Sequence, residues 1–255
     1  MSSFMTAAIF SAFPATKYRV IRSLLVRGML IGVVAGLLAF CFAHLVGEPE
    51  VNRAIAFEAG IDHAEGEAAE PELVSRRVQS GLGLFTGAVL YGVALGGIFG
   101  LVFAYAQGRY SVGGPRQLSA VIASLGYAAV VVVPTLKYPA NPPAVGNPDT
   151  IGTRTAAYFL LIAFSLAILG VAVQFYRRFA ARFGSWNGIL LAAMLYMVLI
   201  AMTYPLFPNI DEVPSSFPAT LLWHFRIVSA ELQAVLWATL GVAYGWFTER
   251  DRTAA

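Results

Sequence analysis

Six stretches of this chain are each apolar for nearly as long as a helix must be to cross a bilayer, about 20 residues for roughly 30 Å of hydrocarbon. They cover residues 28–46, 82–106, 118–136, 156–175, 188–204 and 226–247. Nothing else in the sequence limits the fold so strongly, because backbone groups in lipid must bond within their own segment. The expected fold class is therefore all-α, a polytopic transmembrane helical bundle of about six spans. Composition agrees. Charged residues make up 12% of the chain, about half the ~25% of a soluble domain, too few to clothe a soluble protein of this size. The fifth stretch is the shortest and runs into Pro205 and Pro208.

The charges between the spans set an orientation. With the N-terminus inside, the inner segments hold Lys17, Arg19, Arg22, Arg27, Arg109, Arg116, Arg177, Arg178, Arg182, Arg250 and Arg252, eleven of the seventeen basic residues. The outer segments hold eleven of the fourteen acids: Glu48, Glu50, Glu58, Asp62, Glu65, Glu67, Glu70, Glu72, Asp149, Asp211 and Glu212. Basic loops stay inside, so both termini are expected in the cytoplasm. The expected organisation is a cytoplasmic segment 1–27, a transmembrane domain 28–247 and a tail 248–255, with an acidic outer loop at 47–81 and a Pro-rich outer loop at 137–155. No basic region precedes the apolar residues Met1 to Pro14, and no small-residue cleavage site follows the first long run, which reads as a retained span. Because the basic residues lie in short patches between apolar runs, the net charge of +3 reflects topology, and nucleic acid is not an expected partner. Cys41 is the single cysteine, which excludes an intrachain disulfide and a cysteine metal cluster; inside an apolar run it reads as a small buried hydrophobe.

Glycines recur every four residues in two spans, at Gly28, Gly32 and Gly36 and at Gly92, Gly96 and Gly100, with a shorter version at Gly241 and Gly245. That spacing lines one helix face with small residues and lets two backbones approach closely. No Gly-Lys-Ser/Thr phosphate loop and no His-Glu-x-x-His zinc motif occurs, and no nucleophile stands at a recognisable spacing from a partner, so neither an enzyme nor a bound cofactor is expected.

Glu231 is the most informative residue, an ionisable group inside the last span, where it costs several kcal/mol unless it is paired or hydrated. His224, seven residues earlier, falls on nearly the same helix face about 10 Å away. With Asp211 and Glu212 they outline an entry route for a cation, and imidazole with carboxylate suits Co²⁺, Ni²⁺ or Zn²⁺. The competing reading is that Glu231 pairs with an Arg or bonds internally and fixes helix packing; Arg226, five residues away and about 140° round the helix, is poorly placed for that. His63 in the acidic loop is a further candidate metal ligand, although a charge run is usually a solvated face. His44 reads as an interfacial side chain.

Three strings carry a resemblance: Leu136-Lys-Tyr-Pro-Ala-Asn-Pro-Pro-Ala-Val-Gly-Asn-Pro-Asp-Thr-Ile-Gly152, Val74-Ser-Arg-Arg-Val-Gln79, and Val213-Pro-Ser-Ser-Phe-Pro-Ala-Thr-Leu-Leu-Trp-His-Phe-Arg226. In them the chain resembles the CbtA family of predicted cobalt transporter subunits, from about Arg22 to Arg250. Met1 to Ala15 stand outside that pattern. The resemblance implies a multi-pass protein of the bacterial cytoplasmic membrane that imports Co²⁺ for cobalamin synthesis beside a small single-span, His-rich subunit. Such a partner would offset the scarcity of histidine here, three in the whole chain. The lead expectation is a permease-like subunit whose outer loops, with Asn141, Asn147 and Asp149, capture the hydrated ion before Glu231 and His224 pass it inward. A non-transporting scaffold and a lipid-modifying enzyme are the alternatives.

Overall fold

The computed structural model describes residues 15–65, 74–110 and 113–254, and among them there is no strand. Residues 1–14 and the acids Glu67, Glu70 and Glu72 lie outside the described residues. Helix α1 (Ala15–Phe42) passes through a π-helical turn, Ala43–Gly47, into α2 (Glu48–Glu65). A short turn at Arg76–Val78 and a second π turn, Gln79–Gly83, lead into α3 (Leu84–Ala106). Then come α4 (Pro115–Tyr127), a third π turn at Ala128–Val132 and α5 (Val133–Lys137). Helices α6 (Ile151–Phe183), α7 (Ser185–Thr203) and α8 (Ala219–Ala254) complete the order.

Six helical stretches are long and apolar enough to cross a membrane: Tyr18–Ile61, Arg76–Ala106, Pro115–Lys137, Pro148–Phe183, Ser185–Leu206 and Ala219–Asp251. Each contains one of the six stretches expected from the sequence. The fifth is complete, because a 3₁₀ turn at Tyr204–Leu206 carries the helix through Pro205. Large apolar side chains stand exposed along these helices, among them Leu90, Phe159, Met197 and Val242, which suits lipid as the surrounding solvent. The segment read as an acidic loop is helical from Glu48 to Glu65 and again from Arg76. Cys41 corrects another expectation: it is exposed rather than buried, since the buried side of this turn is taken by Ala39 and Ala43.

The chain forms two compact units. Residues 1–44, 74–124 and 234–255 make the first. Its frame is α1 laid along α3, with the two glycine stripes facing each other: a Cβ added at Gly36 would stand 2.6 Å from the Ala88 carbonyl, and one at Gly92 2.9 Å from the Gly36 Cα. Backbones this close leave no room for a side chain at the glycine positions. Gly241 and Gly245 do the same against α4, where a Cβ would meet Ala123 at 2.6 Å and the Arg116 Cα at 2.8 Å. Tyr244 is wholly buried between the rings of Phe99 and Phe103 and donates its hydroxyl to the Leu24 carbonyl at 3.0 Å. Charges at this end of α8 are paired: Arg27 reaches Thr248 at 3.0 Å and also Asp251, and Arg116 pairs with Glu249.

Residues 45–73 and 125–233 make the second unit. Here α6 and α7 form a tight antiparallel hairpin. The single residue between them, Gly184, has φ +83°, a backbone shape that glycine adopts without strain. Ala54 of α2 is buried with Val145 and Phe217 of the two loops, and Phe57 meets the Phe217 ring edge-on at 5.1 Å.

Candidate functional site

The carboxylate of Glu212 makes several of the contacts that hold the Pro-rich loop of the second unit. Glu212 accepts the Thr150 hydroxyl at 2.6 Å and the Asn147 backbone N–H at 2.8 Å, and lies 3.4 Å from the Arg154 guanidinium. These contacts, led by the Thr150 hydroxyl, hold its carboxyl below the ordinary glutamate range. Asn147 caps the turn at Pro148–Thr150 by accepting from the Asp149 N–H at 2.9 Å, and its carbonyl accepts from Arg154 at 3.1 Å. Gly146, at φ +122°, leaves the space that the Arg154 guanidinium fills. Arg226 of α8 reaches the same loop, donating to Asn141 at 3.2 Å and to the Ala140 carbonyl at 3.4 Å. Lys137 bonds Asn209, and Tyr138 donates to the Pro208 carbonyl at 2.8 Å. Burial raises the Tyr138 hydroxyl above its ordinary value. The candidates Asn141, Asn147 and Glu212 thus spend polar atoms on fixing the loops, while Asp149 and Asp211 remain exposed.

Glu231 and His224 share one face of α8, and both are exposed. Glu231 makes no hydrogen bond or ion pair with any described residue, and Arg226 is engaged by the loop instead. The helix rise puts Glu231 about 12 Å beyond the exposed Trp223, at a depth where an ionised side chain needs a partner. His63 is exposed on α2. His44 is exposed at its π turn, where Nδ1 lies 3.1 Å from the Ser80 carbonyl and the ring stacks on Phe40. Among the described residues no group of three His, Cys, Asp or Glu side chains is placed to hold a metal ion. The five candidate ligands, His63, Asp211, Glu212, His224 and Glu231, are thus not gathered into one centre. A cavity of about 230 Å³ at Phe103, Gln107, Tyr110 and Leu118 in the first unit contains none of them.

The second unit also contains an internal polar chain that no periodicity in the sequence marks. At the π turn Ala128–Val132, Val133 N–H reaches back five residues to the Ala128 carbonyl. The next bond in that register would come from residue 134, but Pro134 has no N–H, so the Ala129 carbonyl is released. Ser165, wholly buried on α6, fills the gap by donating to it at 2.8 Å. With that hydrogen committed, Tyr196 of α7 must donate to the Ser165 oxygen, 2.7 Å away. Tyr204 likewise donates to the Val133 carbonyl at 2.7 Å. The broken third span is in this way stitched to its neighbours, the condition under which irregular backbone survives at membrane depth. Pro134 was the available signal. Glu50, buried on α2, was missed as well.

Comparison with known proteins adds one finding. A family model described as "Probable cobalt transporter subunit (CbtA)" matches residues 21–249. No curated protein and no solved structure matches the chain.

Proposed function

This chain belongs to the CbtA family of probable cobalt transporter subunits, and from that premise we propose that it is the permease-like membrane subunit of an uptake system for Co²⁺ or a related divalent cation. The observation that carries the proposal is a family match over nearly the whole chain of a protein with six helices able to span a membrane. We place it in the bacterial cytoplasmic membrane with both termini inside, as the positive-inside distribution of Lys and Arg supports. Cobalamin synthesis is the demand such uptake would serve.

The route runs along the Glu231 and His224 face. An exposed carboxylate at that depth supports a second chain lying against it, because lipid alone offers no compensating charge. One imidazole and one carboxylate are too few ligands for a borderline cation. A small single-span subunit carrying histidines would supply the rest. The acidic residues around α2 raise the local cation concentration at the entrance, with Asp149 and Asp211 the exposed members of the adjoining loops.

The lack of a three-ligand group within the described residues also favours a second reading, a scaffold that assembles a transporting partner. Uptake by cells expressing Glu231→Gln and His224→Ala, beside the partner and with membrane levels matched, separates the two. Loss of cobalt accumulation in both variants supports the route; unchanged accumulation sinks it. Accumulation that persists in a strain lacking this chain sinks the permease reading itself.

A further inference from the structure

One buried carboxylate of the second unit takes no part in holding its loops. Glu50 sits on α2 with only 8% of its surface exposed. Its Oε1 lies 2.8 Å from Nη1 of Arg53, whose side chain is 62% exposed. Its Oε2 is buried and makes no hydrogen bond with a described residue. A buried carboxylate oxygen ordinarily has a donor or a cation, since without one its lost hydration goes uncompensated. Glu50 cannot be serving as a helix N-cap, because the π turn Ala43–Gly47 runs straight into α2 and leaves no first turn of open N–H groups.

The neighbouring surface of α2 is apolar. Ala54, one turn further along the same face of α2, is wholly buried against Val145 and Phe217, and Phe57, Val213 and Leu222 pack on that cluster. Glu50 therefore lies one turn from an apolar cap built by α2 and two loops, toward the N-terminal end of α2. Its charged partner among the described residues, Arg53, is anchored at one oxygen and open to water over most of its length.

We propose that Glu50 is a cation-accepting carboxylate at the entrance, and that Arg53 is a swinging counter-ion that holds it until a hydrated divalent cation arrives. The inference rests on the divalent-cation reading given above. Arg53 neutralises the buried charge while the site is empty, and the cation does so when Arg53 turns out into water. No proton or covalent bond changes hands. Carboxylate oxygen is a suitable ligand for a divalent ion that keeps most of its water.

A swinging pair makes the two substitutions act in opposite directions. Glu50→Gln keeps the size of the side chain and removes the charge; half-saturation for Co²⁺ is expected to rise on the order of tenfold. Arg53→Gln removes the competitor and is expected to lower it several-fold. Glu50→Asp retains the charge and should fall near the wild type. We would measure ⁵⁷Co binding to the purified full chain in nanodiscs and, separately, uptake by cells that also express the partner. Parallel weakening by Glu50→Gln and Arg53→Gln would mark an ordinary structural pair and overturn the proposal. So would unchanged half-saturation in both, or a wild-type chain that binds no cobalt. Arg53→Gln decides the matter even if Glu50→Gln does not fold. Binding that depends on Glu50 without any uptake would keep this site and remove the transport reading, so the two failures are distinct.

Discussion

A methyl group added at Gly96 should unfold this protein at a lower temperature, whereas the same methyl at Gly170 should not. Both glycines lie inside long helices. At Gly170 a Cβ would meet nothing within 4 Å, and alanine gains about 0.8–1.0 kcal/mol of helix propensity over glycine. At Gly96 the Cβ would fall on the Gly28 carbonyl and stand 2.9 Å from the Gly32 Cα. Both are backbone atoms and cannot rotate away, so α1 and α3 must part by about 1 Å. A gap of that size forfeits a quarter to a half of each dispersion contact along the crossing, and overpacking of this kind costs about 1–3 kcal/mol. With two backbone collisions the upper end applies; less the propensity gain, Gly96→Ala should lose about 2 kcal/mol. At roughly 2–4 °C per kcal/mol for a chain near this length, Tm should fall by about 4–8 °C, while Gly170→Ala rises by about 2–4 °C. Tryptophan fluorescence during thermal unfolding, with every variant in one detergent, reads the difference. Equal shifts for the two variants would refute the close approach of the glycine stripes.

Three further outcomes follow from the second unit. Ser165→Ala should cost about 1–3 kcal/mol, because it strands the Ala129 carbonyl and the Tyr196 hydroxyl together, whereas Tyr196→Phe should cost about 0.5–1.5 kcal/mol; thermal unfolding that ranks them the other way contradicts the donor order. Glu212 has a depressed native pKa, so its stabilisation of the 137–150 loop is complete above the ordinary glutamate value of about 4.3 and is lost as pH falls below that through the native value. Hydrogen exchange of the loop amides, corrected for intrinsic rates, should therefore quicken on acidification in the wild type but stay fast at every pH in Glu212→Gln. Restoring the charge with Glu212→Asp should return only part of the protection, because the shorter side chain cannot hold Thr150 and Asn147 at once. Protection that ignores position 212 would mean the loop is held by its other contacts, those of Arg226, Arg154 and Tyr138, without the carboxylate.

The six spans were legible because a crossing helix has to be apolar for its whole length, and a run such as 156–175 says so without reference to any other part of the chain. The glycine stripes were legible for a similar reason: a period of four fixes a face on one helix, and Gly28, Gly32 and Gly36 could be read on their own. Ser165 was not legible. Its role depends on a carbonyl freed 36 positions away by a π turn that leaves no periodic mark, with Pro134 as the single hint. Glu50 was hidden differently. Read as one acid in a charged loop it looked solvated; only once 48–65 is a helix does its spacing with Ala54 put it on the buried side. Cys41 shows the reverse error, since an apolar neighbourhood in lipid says nothing about which residues face the protein. Glu231 stood out as an ion in a span, but whether it faced inward or outward depended on packing that one helix cannot specify.

The central claim is that this chain carries a divalent cation inward as one part of a two-subunit system. Accumulation of ⁵⁷Co by whole cells expressing the chain alone, a small single-span His-rich partner alone, both, or an empty vector tests it most directly, with membrane expression verified in each. Accumulation above the vector is expected only when both are present. Accumulation no higher than the vector in every combination would contradict it.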